Sequence, residues 1–135
     1  MEILFQREIR IPSSVVGLDQ CLELVEEIKE HFHLDFDASF KLHTIIVESV
    51  ENAFIHGNKG VRDLEVRVLI AVTQTEILIE VEDSGEGFEL NHDANLSEVP
   101  EINCEGGRGI FFITRLSSEF YKLGKGNIIC IKLKR

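Results

Sequence analysis

Three groups of residues have the types and spacing to do chemistry. The first is Glu48, Asn52 and His56, set four residues apart. On a helix turning about 100 degrees per residue, Asn52 falls about 40 and His56 about 80 degrees from Glu48, and Leu42, Ile45, Ile46 and Ala53 continue the same arc. A carboxylate and an amide bordering an apolar stripe suit a lined cleft. The same spacing also suits an i, i+4 hydrogen-bonded pair on a solvated helix edge. The second group is Asp83-Ser84-Gly85-Glu86-Gly87-Phe88. Ile77, Ile79 and Val81 share one face of a strand, and a period of two places Asp83 on that apolar side, where a carboxylate needs a partner. Asp at the first position of a turn is the plainer reading. A second glycine at Gly87 exceeds what a turn needs and permits close backbone approach to a flat ligand. The third group, Gly106-Gly107-Arg108-Gly109, opens a short apolar helix over 110–116. Glycines at a helix start offer free backbone N–H groups to an anion, although glycine-rich loops also serve as connectors. The Lys-Ser/Thr of a phosphate-binding P-loop is missing.

These groups need elements to position them. Residues 2–11 read as an edge strand ending at Pro12, with Ser13 and Ser14 as helix caps. Apolar residues at three- and four-residue spacing from Val15 to Ile28 predict an amphipathic helix over 15–32. Asp37 caps a second helix over 38–56, which Gly57, Asn58 and Gly60 end through left-handed backbone. Two strands of period two, 64–72 and 76–82, form a hairpin about Thr73-Gln74-Thr75. Residues 89–105 are polar and too long for a plain connection, which makes them a candidate lid. The helix over 110–116 and two strands, 119–123 and 127–133, flanking Gly124-Lys125-Gly126, complete the chain. The order predicts an α+β fold: a two-layer sandwich whose mixed, mostly antiparallel sheet carries its helices on one face. The repeated crossovers of a doubly wound sheet are missing. One domain is expected over 1–135, with a lid at about 89–109.

Composition narrows the partners. The 135 residues are 44% apolar and 28% charged, and 14 Lys+Arg against 24 Asp+Glu give a net charge of -10. That balance fits a globular chain and opposes direct nucleic-acid binding. No stretch approaches the roughly 18 uninterrupted apolar residues of a membrane span, so a soluble, cytoplasmic protein with no membrane contact is expected. Three widely spaced cysteines, Cys21, Cys104 and Cys130, predict reduced thiols rather than a disulfide framework.

In chain order, Glu48-x-x-x-Asn52-Ala53-x-x-His56-Gly57, Asp83-x-Gly85-x-Gly87-Phe88 and Gly106-Gly107-x-Gly109 resemble the boxes of the histidine-kinase-like ATPase superfamily shared by gyrase and the sensor kinases. The wording Asn52-Ala53-Phe54-Ile55-His56-Gly57 and Gly107-Arg108-Gly109-Ile110-Phe111-Phe112-Ile113 is most similar to the anti-sigma factor serine kinases of bacterial partner switching. The resemblance runs from the first helix to the last strand.

It implies a Bergerat-type fold that uses ATP and Mg2+. Asn52 would be the magnesium ligand, Glu48 the general base toward a serine or threonine hydroxyl, and Asp83 the acceptor of the adenine amino group. Gly85 and Gly87 would close over the base, while Gly106, Gly107, Arg108 and Gly109 would wrap the phosphates. His56 and Lys59 each have two readings, a ligand contact or a structural or solvent-facing residue. Many relatives carry Gly-Thr near the last strand where this chain has Gly126-Asn127, and Asn can also hydrogen-bond. The implied activity is a protein-serine/threonine kinase and anti-sigma factor that phosphorylates an anti-sigma-factor antagonist of STAS type and holds a sigma factor, as a homodimer. A nucleotide-binding module that sequesters a regulatory protein without turnover is the alternative.

Overall fold

Along β2 (Glu65–Thr73) and β3 (Glu76–Glu82), Val and Ile recur at every second position, and a strand's period of two sends them to one face and Glu65, Arg67, Glu76, Glu80 and Glu82 to the other. The computed structural model describes residues 2–85, 105–124 and 127–135, with side chains in the third helix from Gly109 onward. Its elements run β1 (Ile3–Pro12), α1 (Val15–His31), α2 (Phe36–Asn52), a π-turn (Ala53–Gly57), β2, β3, α3 (Glu105–Leu116), β4 (Glu119–Leu123) and β5 (Ile128–Lys134). The sheet order is β1-β2-β3-β5-β4. All four pairings are antiparallel, so the parallel component of a mixed sheet is absent among the described residues.

One face of this sheet is apolar. Val66, Val68, Ile70 and Val72 of β2 lie beside Ile77, Ile79 and Val81 of β3 and Ile129, Ile131 and Leu133 of β5, all buried. Register aligns Ile70 with Ile79 and Ile79 with Ile131. Val25 and Ile28 of α1, Leu42, Ile45, Ile46 and Val50 of α2, and Ile110 and Ile113 of α3 join them in one hydrophobic cluster. Burying each such side chain contributes roughly 1.5–3 kcal/mol, which fixes the helices on this face. The other face carries Arg67, which donates through Nε to Glu82 (2.7 Å), through Nη2 to Glu80 (2.8 Å) and through Nη1 to Glu8 (3.0 Å). One guanidinium thus ties β1, β2 and β3, and the surrounding carboxylates push its pKa further up.

Several local expectations change. Asp35, not Asp37, caps α2: its Oδ1 accepts from the Ala38 N–H at 2.8 Å, while Asp37 pairs with Lys41 within the first turns. Ser14 is the α1 N-cap residue without a side-chain cap bond, and the Ser13 hydroxyl reaches the Leu64 carbonyl at 2.6 Å instead. Asn58 has φ -90, so the left-handed residues after the π-turn are Lys59 and Gly60. Helix α3 starts at Glu105 rather than 110, which places Gly106, Gly107, Arg108 and Gly109 in its first turns instead of in a loop before it. Of the expected lid, 89–104 lies outside the described residues, as does Gly87.

Candidate functional site

Glu48 and Asn52 stand one turn apart near the end of α2, on the side that borders the core. Asn52 is 6% exposed, and its Nδ2 is buried with no hydrogen-bond partner among the described residues. Leaving a buried amide unpaired costs about 1–3 kcal/mol, and native structures rarely tolerate it without a reason. Glu48 is half-buried and faces α3: a Cβ built on Gly109 would stand 3.1 Å from its Oε2. Packing of α3 on α2 thus brings the first and third sequence groups together.

Beyond Asn52 the helix widens. The Asn58 N–H donates to the Ala53 carbonyl at 2.8 Å, five residues back, and closes the π-turn. That wider turn carries Gly57 to the end of β3. A Cβ on Gly57 would lie 2.2 Å from both Cγ and Oδ2 of Asp83, and one on Gly85 would lie 1.9 Å from the Gly57 carbonyl oxygen. Glycine is therefore required at both places by close approach of the backbone. His56 is half-buried in the π-turn, and Lys59 is exposed just after it.

Asp83 is 4% exposed, as its inward position in the sequence pattern predicts. Its Oδ1 accepts from the Gly85 N–H at 2.8 Å. Its backbone is clamped twice by Asn127: the Asp83 N–H donates to the Asn127 carbonyl, and Asn127 Nδ2 donates to the Asp83 carbonyl, each at 3.0 Å. Asn127 thus acts as a brace between β3 and β5. Asn58, which sequence reasoning assigned only to a turn, is 1% exposed. Its Nδ2 donates to Ser13 Oγ (2.9 Å) and to the carbonyls of Leu64 and Glu65 (3.3 Å each), and its Oδ1 accepts from the Ser84 N–H (2.8 Å). A polar residue directly after Gly57 was the only signal, and its partners are remote in sequence.

A cleft of about 320 Å³ opens beside this turn, lined by Asp83, Ser84, Gly85 and Asn127 together with Arg10, Glu65, Arg67 and Glu82. Its charged walls belong to the open side of the sheet, and neither Glu48 nor Asn52 lines it.

The donors suit magnesium. Magnesium takes hard oxygen donors, typically one or two from the protein with water and phosphate completing its shell, and the Asn52 amide and Glu48 carboxylate are of that kind. A half-turn of the Asn52 amide presents its oxygen where the unpaired nitrogen stands. Among the described residues no helix is long and apolar enough to cross a membrane.

The sequence model of one family, described as the histidine kinase-like ATPase domain, matches residues 11–133. No curated protein matches the chain.

Proposed function

The chain belongs to the histidine kinase-like ATPase domain family, a family of ATP-using domains, and from that premise we propose that it is a protein-serine/threonine kinase acting as an anti-sigma factor in a partner-switching system. The observation that carries the reading is the buried amide nitrogen of Asn52, without a hydrogen-bond partner among the described residues, one helical turn from Glu48. Asn52 would hold magnesium, which neutralises charge on the nucleotide phosphates when bound. Asp83, fixed by Gly57, Gly85 and Asn127, offers a carboxylate to the adenine amino group. Gly109 in α3 brings backbone close to Glu48, where the phosphates would lie.

Glu48 would accept the proton of a serine or threonine hydroxyl. The oxygen of that hydroxyl attacks the γ-phosphorus, the bond to the bridging oxygen breaks, and ADP leaves. The acceptor would be an anti-sigma-factor antagonist, and a homodimer would hold the sigma factor. A net charge of -10 suits a partner with a basic face.

The test begins with thermal melts in Mg2+ with ATP, ADP or GTP. Ligand at about a hundred times its dissociation constant adds roughly 2.7 kcal/mol. ATP and ADP are expected to raise Tm selectively, and Asn52→Ala to shrink the shift. Labelled γ-phosphate should then pass to a serine or threonine of the antagonist. Label that stays on the nucleotide within a stable partner complex would replace the kinase by a non-catalytic nucleotide-bound switch, and no shift with any nucleotide would overturn both.

A further inference from the structure

We infer that Asn58 is a positioning residue that sets the adenine-facing turn, an inference that rests on the nucleotide reading of Asp83. Its carboxamide is almost wholly buried and joins three separate pieces of chain. Through Nδ2 it holds Ser13, at the junction of β1 and α1, and the Leu64 and Glu65 carbonyls at the start of β2. Through Oδ1 it holds the N–H of Ser84, the residue between Asp83 and Gly85. The Ser13 hydroxyl completes the loop by donating to the same Leu64 carbonyl.

Asp83 itself is braced on two sides. Asn127 fixes its backbone, and Gly57 packs against its carboxylate. Neither contact fixes the next peptide, whose N–H direction decides where Gly85 turns and hence where the Gly85 N–H meets Asp83 Oδ1. Asn58 supplies that constraint. It follows the π-turn directly, with its own N–H bonded to Ala53, so the turn facing the base is tied to the same helix that carries Glu48 and Asn52. Spacing between the base contact and the phosphate contact then depends on Asn58, with the Ser84 hydroxyl adding a bond to the Glu65 carbonyl at 3.0 Å.

The test pairs two readouts on the whole chain. Removing a buried bond of this kind typically costs about tenfold in an equilibrium constant. Asn58→Ala is expected to weaken ATP about tenfold by titration calorimetry at a temperature where the variant is fully folded, and to speed exchange of the Ser84 amide measured by NMR without nucleotide. Asn58→Asp keeps an oxygen for the Ser84 N–H but sets its second oxygen against the Leu64 and Glu65 carbonyls, so it should protect the Ser84 amide more than Asn58→Ala does while still binding ATP more weakly than the wild type. In an Asp83→Ala background, Asn58→Ala should weaken ATP no further. Unchanged ATP affinity in folded Asn58→Ala, or unchanged Ser84 exchange, overturns the assignment. A wild-type chain that binds no adenine nucleotide overturns the nucleotide reading, while the Ser84 exchange still decides whether Asn58 holds the turn. Should Asn58→Ala fail to fold, Asn58→Ser, too short to reach Ser84, carries the same comparison.

Discussion

The two halves of the candidate site are built differently. Around Asp83, Gly57 and Gly85 interlock, Asn127 clamps the backbone from β5, and Asn58 holds Ser84, so this half is fixed with no ligand present. At Glu48 and Asn52 the positions are equally well set by α2, yet the Asn52 amide keeps a buried nitrogen without a partner among the described residues. A preorganised half lowers the ordering cost of binding, while an unsatisfied half takes its last partner from the ligand. Under the proposed function, recognition and chemistry would fall to separate pieces of chain joined by the π-turn.

The sharpest way to separate the halves is Glu48→Gln. Phosphoryl transfer to the protein acceptor should fall about 10² to 10⁴-fold in single-turnover assays, with the ATP-induced rise in Tm retained. Loss of ATP binding along with transfer would break the division. Gly57→Ala works from the other side. Its Cβ cannot coexist with an Asp83 carboxylate 2.2 Å away, so ATP affinity by calorimetry should drop about 10- to 100-fold and discrimination against GTP should narrow. An unchanged ATP to GTP ratio would detach Asp83 from base recognition.

Asn52→Ala is the smaller test. Because the amide nitrogen lacks a partner among the described residues, denaturant melts without ligand should move by less than about 1 kcal/mol, well below the cost expected for a fully bonded buried amide. A large loss would mean that the group is structural. The least effect at neutral pH belongs to Cys21, which lies in the core outside both halves. Burial pushes its thiol up to about 12 from an ordinary 9.0. Above pH 9 the unfolded chain releases this proton and the folded chain keeps it, so stability is fully present below pH 9. It falls as pH rises toward 12, by at most about 1.4 kcal/mol per pH unit. Cys21→Ala should flatten that part of the pH profile in chemical denaturation without altering ATP affinity near pH 7.

Much of this was legible in the sequence because it is periodic. The Glu48 and Asn52 face follows from helical spacing, and the inward turn of Asp83 follows from alternation along β3. The hairpin of β2 and β3 was visible for the same reason. Local competition hid other features. Asp35 and Asp37 are both good caps, and only the backbone geometry at Asp35 selects it. The glycines before Ile110 read as a loop that opens the helix, whereas α3 includes them. The π-turn leaves no periodic trace over five residues. Asn58 and Asn127 act on partners that no local pattern couples to them, which is why their roles emerged from the fold and not from spacing.

The clasp made by Asn58 also sets an order of events during folding. Its bond to Ser13 spans 45 residues and its bond to Ser84 spans 26, and β1 pairs with β2 although both helices intervene in the chain. Contacts of such separation form late, after the loop-closure entropy between them has been overcome. Helix α2, with Glu48 and Asn52 already in place, can form from local interactions well before that. Glu48 and Asn52 are then aligned early, the turn at Asp83 closes last, and under the proposed function nucleotide should bind only the chain that has finished folding.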